Sequence, residues 1–169
     1  TQALVGNLGM VEPARQAGMA LRGDFGLQVF NSQAVKEYKR MGFVSLTASF
    51  ELKLAQIRDL SKAVDTELFA YGRLPLMITE NCIIHNHTGR HSCEEGQRLV
   101  DRKGEHFPVV KAWGCRNEIL NGKTLFLADK AADSPRLGLT SVRLLFTTES
   151  PAACVRVRGV SLGGRRGRT

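Results

Sequence analysis

Over the first seventy residues, short apolar runs alternate with amphipathic stretches. Ala3-Leu4-Val5 ends at Gly6-Asn7, and a helical stretch follows around Glu12 to Gly18. Ala20-Leu21 then runs into Gly23-Asp24. Asn31 or Ser32 is placed to cap a helix over Ala34 to Met41, with Gly42 as its stop. Phe43 to Leu46 ends at Thr47, and Ser49 is placed to cap a second helix with the apolar stripe Leu52, Ala55, Ile57 and Leu60. Glu67 to Ala70 is a fourth run, opening into Tyr71-Gly72. Strand starts roughly 15 to 25 residues apart, separated by helical crossovers, predict parallel strands joined as βα units. Four such units amount to about half of an eight-stranded barrel. A small open parallel sheet would have the same rhythm.

After Pro75 the pattern changes. From Asn81 to Lys130 the helical period vanishes, and Gly, Asn and charged residues punctuate short strand-like runs. Gln97 to Asp101, Phe107 to Ala112, Asn117 to Leu120 and Thr124 to Ala128 predict an antiparallel meander, with Asn121-Gly122 as a hairpin turn. Ser141 to Thr147 then alternates as a strand, and Ser150-Pro151 opens a last helix with proline in its first turn. The expected fold is α/β: parallel β/α units resembling half of a TIM-like barrel, with a small Cys-rich antiparallel β segment. Its expected parts are β/α units over 1–80, a Cys/His-rich β segment over 81–130, a final βα unit over 131–160 and a basic tail over 161–169.

Composition narrows this picture. With 169 residues, 43% apolar, the chain has the makings of one ordinary domain, and wholesale disorder is excluded. The net charge of +8 is concentrated at the end, where Val155 to Thr169 carries five arginines and no acid. The remainder holds 19 basic against 16 acidic residues, so the body is close to neutral and the charge reads as a solvated tail. No apolar run approaches the ~18–20 residues of a bilayer crossing. The start shows no secretory signal and no initiator Met, so the expectation is a cytoplasmic piece of something longer.

The densest chemistry lies in Cys82-Ile83-Ile84-His85-Asn86-His87-Thr88-Gly89-Arg90-His91-Ser92-Cys93, with Cys115 and Cys154 following at long intervals. Thiolates at such separated positions suit an iron–sulfur cluster first, a 4Fe–4S cluster on four cysteines, with Zn²⁺ as the alternative, since folding must gather the ligands. Cys82, Cys93, Cys115 and Cys154 are the candidate ligands, and His85 and His91 join them if the metal is zinc. Four inert buried cysteines are the plainer reading of the same residues, and solvated loop positions are the plainer reading of His85, His87 and His106. H-E-x-x-H and G-x-S-x-G are both missing. A second set, Asn7, Asp24, Thr47 and Tyr71, falls at predicted strand C-terminal ends, the edge that carries ligands in parallel β/α folds. Helix caps and turns are the plainer account of Asp24 and Thr47.

Glu67-Leu68-Phe69-Ala70-Tyr71-Gly72 resembles the E-x-F-x-x-G opening of the signature of peptidase family U-32, the collagenase-like proteases. Gly23 to Leu27, Tyr71 to Cys82, Asp101 to Gly104, Cys115 to Glu118 and Gly138 to Arg143 match further. The resemblance is to the C-terminal half of the family's catalytic-type domain. It implies a partial or modified β/α barrel and peptide-bond hydrolysis. Other members of the family are iron–sulfur enzymes that hydroxylate RNA bases or a quinone precursor, holding a 4Fe–4S cluster on four cysteines. The signature has a cysteine three residues after the glycine, where this chain has Pro75. Cys82 matches the next cysteine and Cys115-Arg116 the third, with Cys93 as replacement for the lost one and Cys154 as the remaining ligand. Asp24, Tyr71 and Arg73 are the catalytic candidates. The resemblance implies as partners the N-terminal remainder of a longer protein and a peptide or RNA substrate. An exposed sheet edge adds a second copy of the chain. The alternatives are an iron–sulfur-dependent enzyme that hydroxylates an RNA base or quinone precursor, and a non-catalytic, zinc-stabilised binding module.

Overall fold

The computed structural model describes residues 1–92, 96–127 and 136–161. The expected tail, together with Cys93, lies outside the described residues, apart from Ser161. The chain divides into two compact units. One takes Thr1–Ala70 with the described residues of Leu127–Leu145 and Glu149–Thr169, and the other takes Tyr71–Phe126 with Phe146–Thr148.

The first unit is the expected half-barrel. Strands β1 (Gln2–Val5), β2 (Ala20–Gly23), β3 (Phe43–Thr47) and β4 (Asp65–Gly72) pair in parallel in that order, and β10 (Ser141–Leu144) follows β4 as the fifth parallel strand. The crossovers carry α1 (Val11–Gln16), α2 (Ser32–Arg40) and α3 (Leu54–Asp59), and α5 (Pro151–Ser161) comes after β10. One face of the sheet buries Val5, Leu21, Phe43, Leu46 and Leu68 against Val11, Ala14, Val35 and Ile57 of the helices. That face is full: a Cβ at Gly23 would stand 2.5 Å from Leu46 Cδ2 and 2.9 Å from Leu27 Cδ1. The β2–β3 register slips by one residue after Leu21 and Phe43, skipping Val44, which lets Phe43 and Leu46 share this face; with side chains alternating from there, Arg22, Thr47, Glu67 and Arg143 face the other, concave side. Among the described residues, no helix is long and apolar enough to cross a membrane.

Local signals explain the helix ends. Asn31 Oδ1 accepts from the Ala34 N–H at 2.8 Å, so Asn31 is the cap, and Gly42 (φ 86°) takes the left-handed position that follows α2. The cap expected at Ser49 is displaced: its hydroxyl accepts from Glu51 N–H at 3.3 Å, and α3 begins only at Leu54. There the Gln56 side chain accepts from Lys53 N–H at 2.9 Å, the return half of a capping box.

The second unit is a four-stranded antiparallel sheet in the order β5 (Pro75–Thr79), β8 (Asn117–Leu120), β7 (His106–Lys111) and β6 (Arg98–Val100). Two expectations need correction here, and one strand had no expectation at all. The stretch after Asn81 is not free of helix, since α4 (Ile83–Thr88) forms one short turn-and-a-half. Strand β5 carries exposed Leu76, Met77 and Ile78, a continuous apolar run with no alternation to announce it. Finally, Asn121-Gly122 does not close a hairpin: β9 (Leu125–Phe126) leaves β8 and pairs with Tyr71 and Gly72 at the end of β4. Asn121 is instead tied down by its N–H to Leu74 O at 2.8 Å and by its Oδ1, which accepts from Lys123 N–H at 3.0 Å.

Candidate metal centre and a polar network on the half-barrel

The thiol at Cys82 is placed by helix chemistry. Cys82 precedes α4 with extended backbone, and its Sγ accepts the His85 N–H at 3.3 Å. The fully buried Asn117 at the start of β8 fixes the same turn, its Oδ1 accepting the Ile83 N–H at 2.8 Å. Gly89 (φ 70°) then ends α4 and swings the chain toward His91. From the other side, the turn Trp113–Cys115 precedes β8. Both Gly114 (φ 71°) and Cys115 (φ 62°) are left-handed there, a conformation that costs a side-chain-bearing residue energy and sets the direction of its thiol.

These devices bring Cys82, His91 and Cys115 together, with one ligand atom from each lying within 4.8 Å of the others. Cys115 Sγ sits 3.3 Å from His91 Nδ1. The His91 ring stacks on His85 with centroids 4.1 Å apart and planes 12° from parallel, which fixes its orientation. Cys82 is buried among Ile84, Val109 and Ile119, Cys115 is half-buried, and His91 is exposed, so the group opens to solvent on the histidine side. Two soft thiols and an imidazole form a donor set that could hold a metal ion. A tetrahedral zinc with bonds of about 2.3 Å places its sulfurs about 3.8 Å apart, so a small contraction of this group suffices. A cubane puts an iron behind each sulfur and a cube edge between them, and asks for four such ligands; the close spacing of this mixed set fits a single ion better.

His85, an expected zinc ligand, contributes no donor to the group of three and stacks on His91 instead. Cys154 is a half-buried free thiol on α5, and Cys93 is outside the described residues. His87 and His106 are exposed. Tyr71 is buried, its ring packed edge-on to Phe126 and tilted against Phe146. Arg73 donates to the carbonyl oxygens of Asn121, at 2.8 Å, and Gly122, and so holds the chain where it leaves β8. Asn7 is exposed and caps no N–H with its side chain.

Asp24 and Thr47 do meet, on the concave face of the half-barrel, through residues not named as site candidates, although Glu67, Ser141 and Arg143 lie in the stretches that resemble the family. Arg143 of β10 donates to Asp24 Oδ1, to Glu67 Oε1 at 2.5 Å and to Thr47 Oγ1 at 3.1 Å. The Thr47 hydroxyl faces Glu67 Oε1 at 2.9 Å and Gly23 O at 3.1 Å. Ser141 Oγ donates to Glu67 Oε2 at 3.3 Å, and Arg22 Nη2 stands 3.8 Å from the same oxygen. The side chains of Glu67, Arg143 and Asp24 are only 12%, 18% and 21% exposed. Two guanidiniums and two carboxylates thus balance in a place where a barrel ordinarily packs branched apolar side chains. The i, i+2 spacing of Arg22 and Asp24 at the end of β2 was a trace of this arrangement in the sequence, whereas the register Thr47↔Glu67 was not legible there.

Comparison with known proteins adds a family. The sequence model of Peptidase family U32 matches residues 1–100. No curated protein and no solved structure matches the chain.

Proposed function

This chain belongs to peptidase family U32, and on that premise we propose that it is part of a peptide-bond hydrolase whose Cys82, His91 and Cys115 hold one metal ion, zinc. The observation that carries the metal is the convergence of those three donors from α4, the segment after it and the turn before β8. When bound, such an ion supplies a Lewis acid and lowers the pKa of a bound water toward neutrality. The protein's own contribution is orientation. Cys82 is fixed by the His85 N–H that its Sγ accepts, the His91 ring by its stacking on His85, and the start of α4 by Asn117. The solvent-exposed histidine side leaves the direction from which a substrate carbonyl can approach.

Metal analysis of anaerobically prepared chain tests this. We expect about one zinc per chain, lost in Cys82→Ser, Cys115→Ser and His91→Ala. The half-barrel alone is expected to be inactive; joined to the N-terminal remainder that the resemblance implies, it should cleave denatured collagen, and a chelator should abolish that cleavage. One observation favours an iron–sulfur centre in an RNA-base or quinone-precursor hydroxylating enzyme: Cys93 lies two residues beyond His91 and offers a third thiolate. About four irons per chain with absorption near ~400 nm would replace zinc by that reading. Zinc that stabilises the fold without any cleavage would leave a binding module. Protein free of both metals would end the proposal.

A further inference from the structure

The concave face of the half-barrel has open hydrogen-bonding groups besides the closed ones. Every hydrogen bond to the Asp24 side chain among the described residues lands on Oδ1, from Phe25 N–H at 2.8 Å and from Arg143. Oδ2 faces the chain at Gly6, 4.0 Å from where a Cβ there would stand. Arg22 is held loosely, at 3.4 Å from Gln2 Oε1 and 3.8 Å from Glu67 Oε2, and its side chain is 34% exposed. The face therefore presents an unused acceptor and under-used donors, on a network whose formal charges cancel. An ion would gain little from such a field, whereas a neutral group with its own donor and acceptor would be matched by it.

Spacing narrows the class. Arg22 and Asp24 are i and i+2 along the extended line of β2, so they leave the backbone about 7 Å apart on the same side. The same interval separates successive like-facing amide groups of an extended peptide. A nucleobase edge, by contrast, crowds its donor and acceptor onto neighbouring atoms. Beside the polar groups, Phe25, Phe50 and Phe69 form an aromatic trio with centroids 5.6 to 6.3 Å apart, and the half-buried Phe25 and Phe50 offer apolar surface for a side chain.

We propose that this face is a second site, in which Arg22 donates to a carbonyl and Asp24 Oδ2 accepts an N–H of an extended peptide backbone, while Arg143 and Glu67 hold the two groups in place. The choice of a peptide rests on the peptidase reading; the site itself does not depend on the metal.

The test is binding without cleavage, measured on the full chain with the metal chelated. The probe is an N-acetylated, C-amidated hexapeptide of alanine and glycine, with uridine as the competing ligand class. We expect the peptide to bind, Arg22→Gln to weaken it at least about tenfold, and Arg40→Gln, on exposed α2, to leave it unchanged. In the unaltered chain the Arg22 Nε–Hε resonance should shift on adding peptide, a readout independent of any variant's stability. Absence of binding, an unaffected Arg22→Gln, a silent Arg22 resonance, or uridine bound in preference each overturns the proposal. Since neither metal nor turnover enters the measurement, failure here is separable from failure of the hydrolase reading.

Discussion

Replacing Arg143 by Met keeps most of the aliphatic volume and removes one guanidinium that serves three acceptors. Asp24 Oδ1, Glu67 Oε1 and Thr47 Oγ1 each lose a charged donor, Asp24 keeping only Phe25 N–H and Glu67 Oε1 only the Thr47 hydroxyl, and two carboxylates are left on a face where Arg22 reaches only one of them, at 3.8 Å. Breaking a fully buried pair costs about 3–5 kcal/mol, because the partner charge stays buried alone. Here the side chains retain 12–21% exposure, so water offsets part of that and about 2–4 kcal/mol is the expected loss. For a chain of this size, that corresponds to roughly 5–15 °C in Tm. Urea unfolding followed by circular dichroism, with the slope compared between variants, is the assay. A Glu67→Gln, Arg143→Met cycle should give a coupling of about 1–3 kcal/mol. A single-variant loss below about 1 kcal/mol with no coupling would refute the account, because it would mean that the groups are solvated well enough not to need each other.

Three further outcomes follow from the same reasoning. Asn117→Ala should cost about 1–3 kcal/mol in urea unfolding by orphaning the Ile83 N–H, and should weaken zinc uptake in a metal titration, since the turn carrying Cys82 loses its anchor. Gly23→Ala should destabilise by about 1–3 kcal/mol through contact with Leu46 and Leu27, and a Gly23→Ala, Leu27→Ala pair should cost less than the two single losses added; an unaffected Tm in the single variant would contradict the packing described. Burial of Glu118 raises its carboxyl above the ordinary value, so the folded state holds that proton more tightly than the unfolded chain. Its stabilising effect is complete below the unfolded carboxylate pKa and fades as pH rises through the folded one. Glu118→Gln should therefore be more stable than the parent at neutral pH, with the advantage shrinking in acid, and a pH-independent difference would exclude the desolvation account.

Much of the half-barrel was legible in the sequence because its signals are local. Asn31, Gly42 and the runs at Ala3, Ala20, Phe43 and Glu67 each act on their own few residues, and the spacing between them leaves room only for crossovers to parallel neighbours. The clustering of thiols and imidazoles between Cys82 and Cys93 marked the region of the group that could hold a metal for the same reason. The small sheet was less readable. Strand β5 lacks alternation, α4 is too short to show a period, and Asn121-Gly122 has hairpin chemistry, whereas the strand after it finds a different partner.

Composition and pattern by themselves settled that parallel β/α units alternate here and that cysteine and histidine concentrate in one segment. Tertiary structure alone decided which donors meet, choosing His91 with Cys82 and Cys115 through the left-handed turn at Gly114 and Cys115. It alone brought Arg143 to Asp24 across 119 positions of chain. Periodicity tells which face a side chain takes on its own strand, but the neighbour it meets is fixed by strand order and register, and these emerge only when the whole sheet buries its apolar side at once.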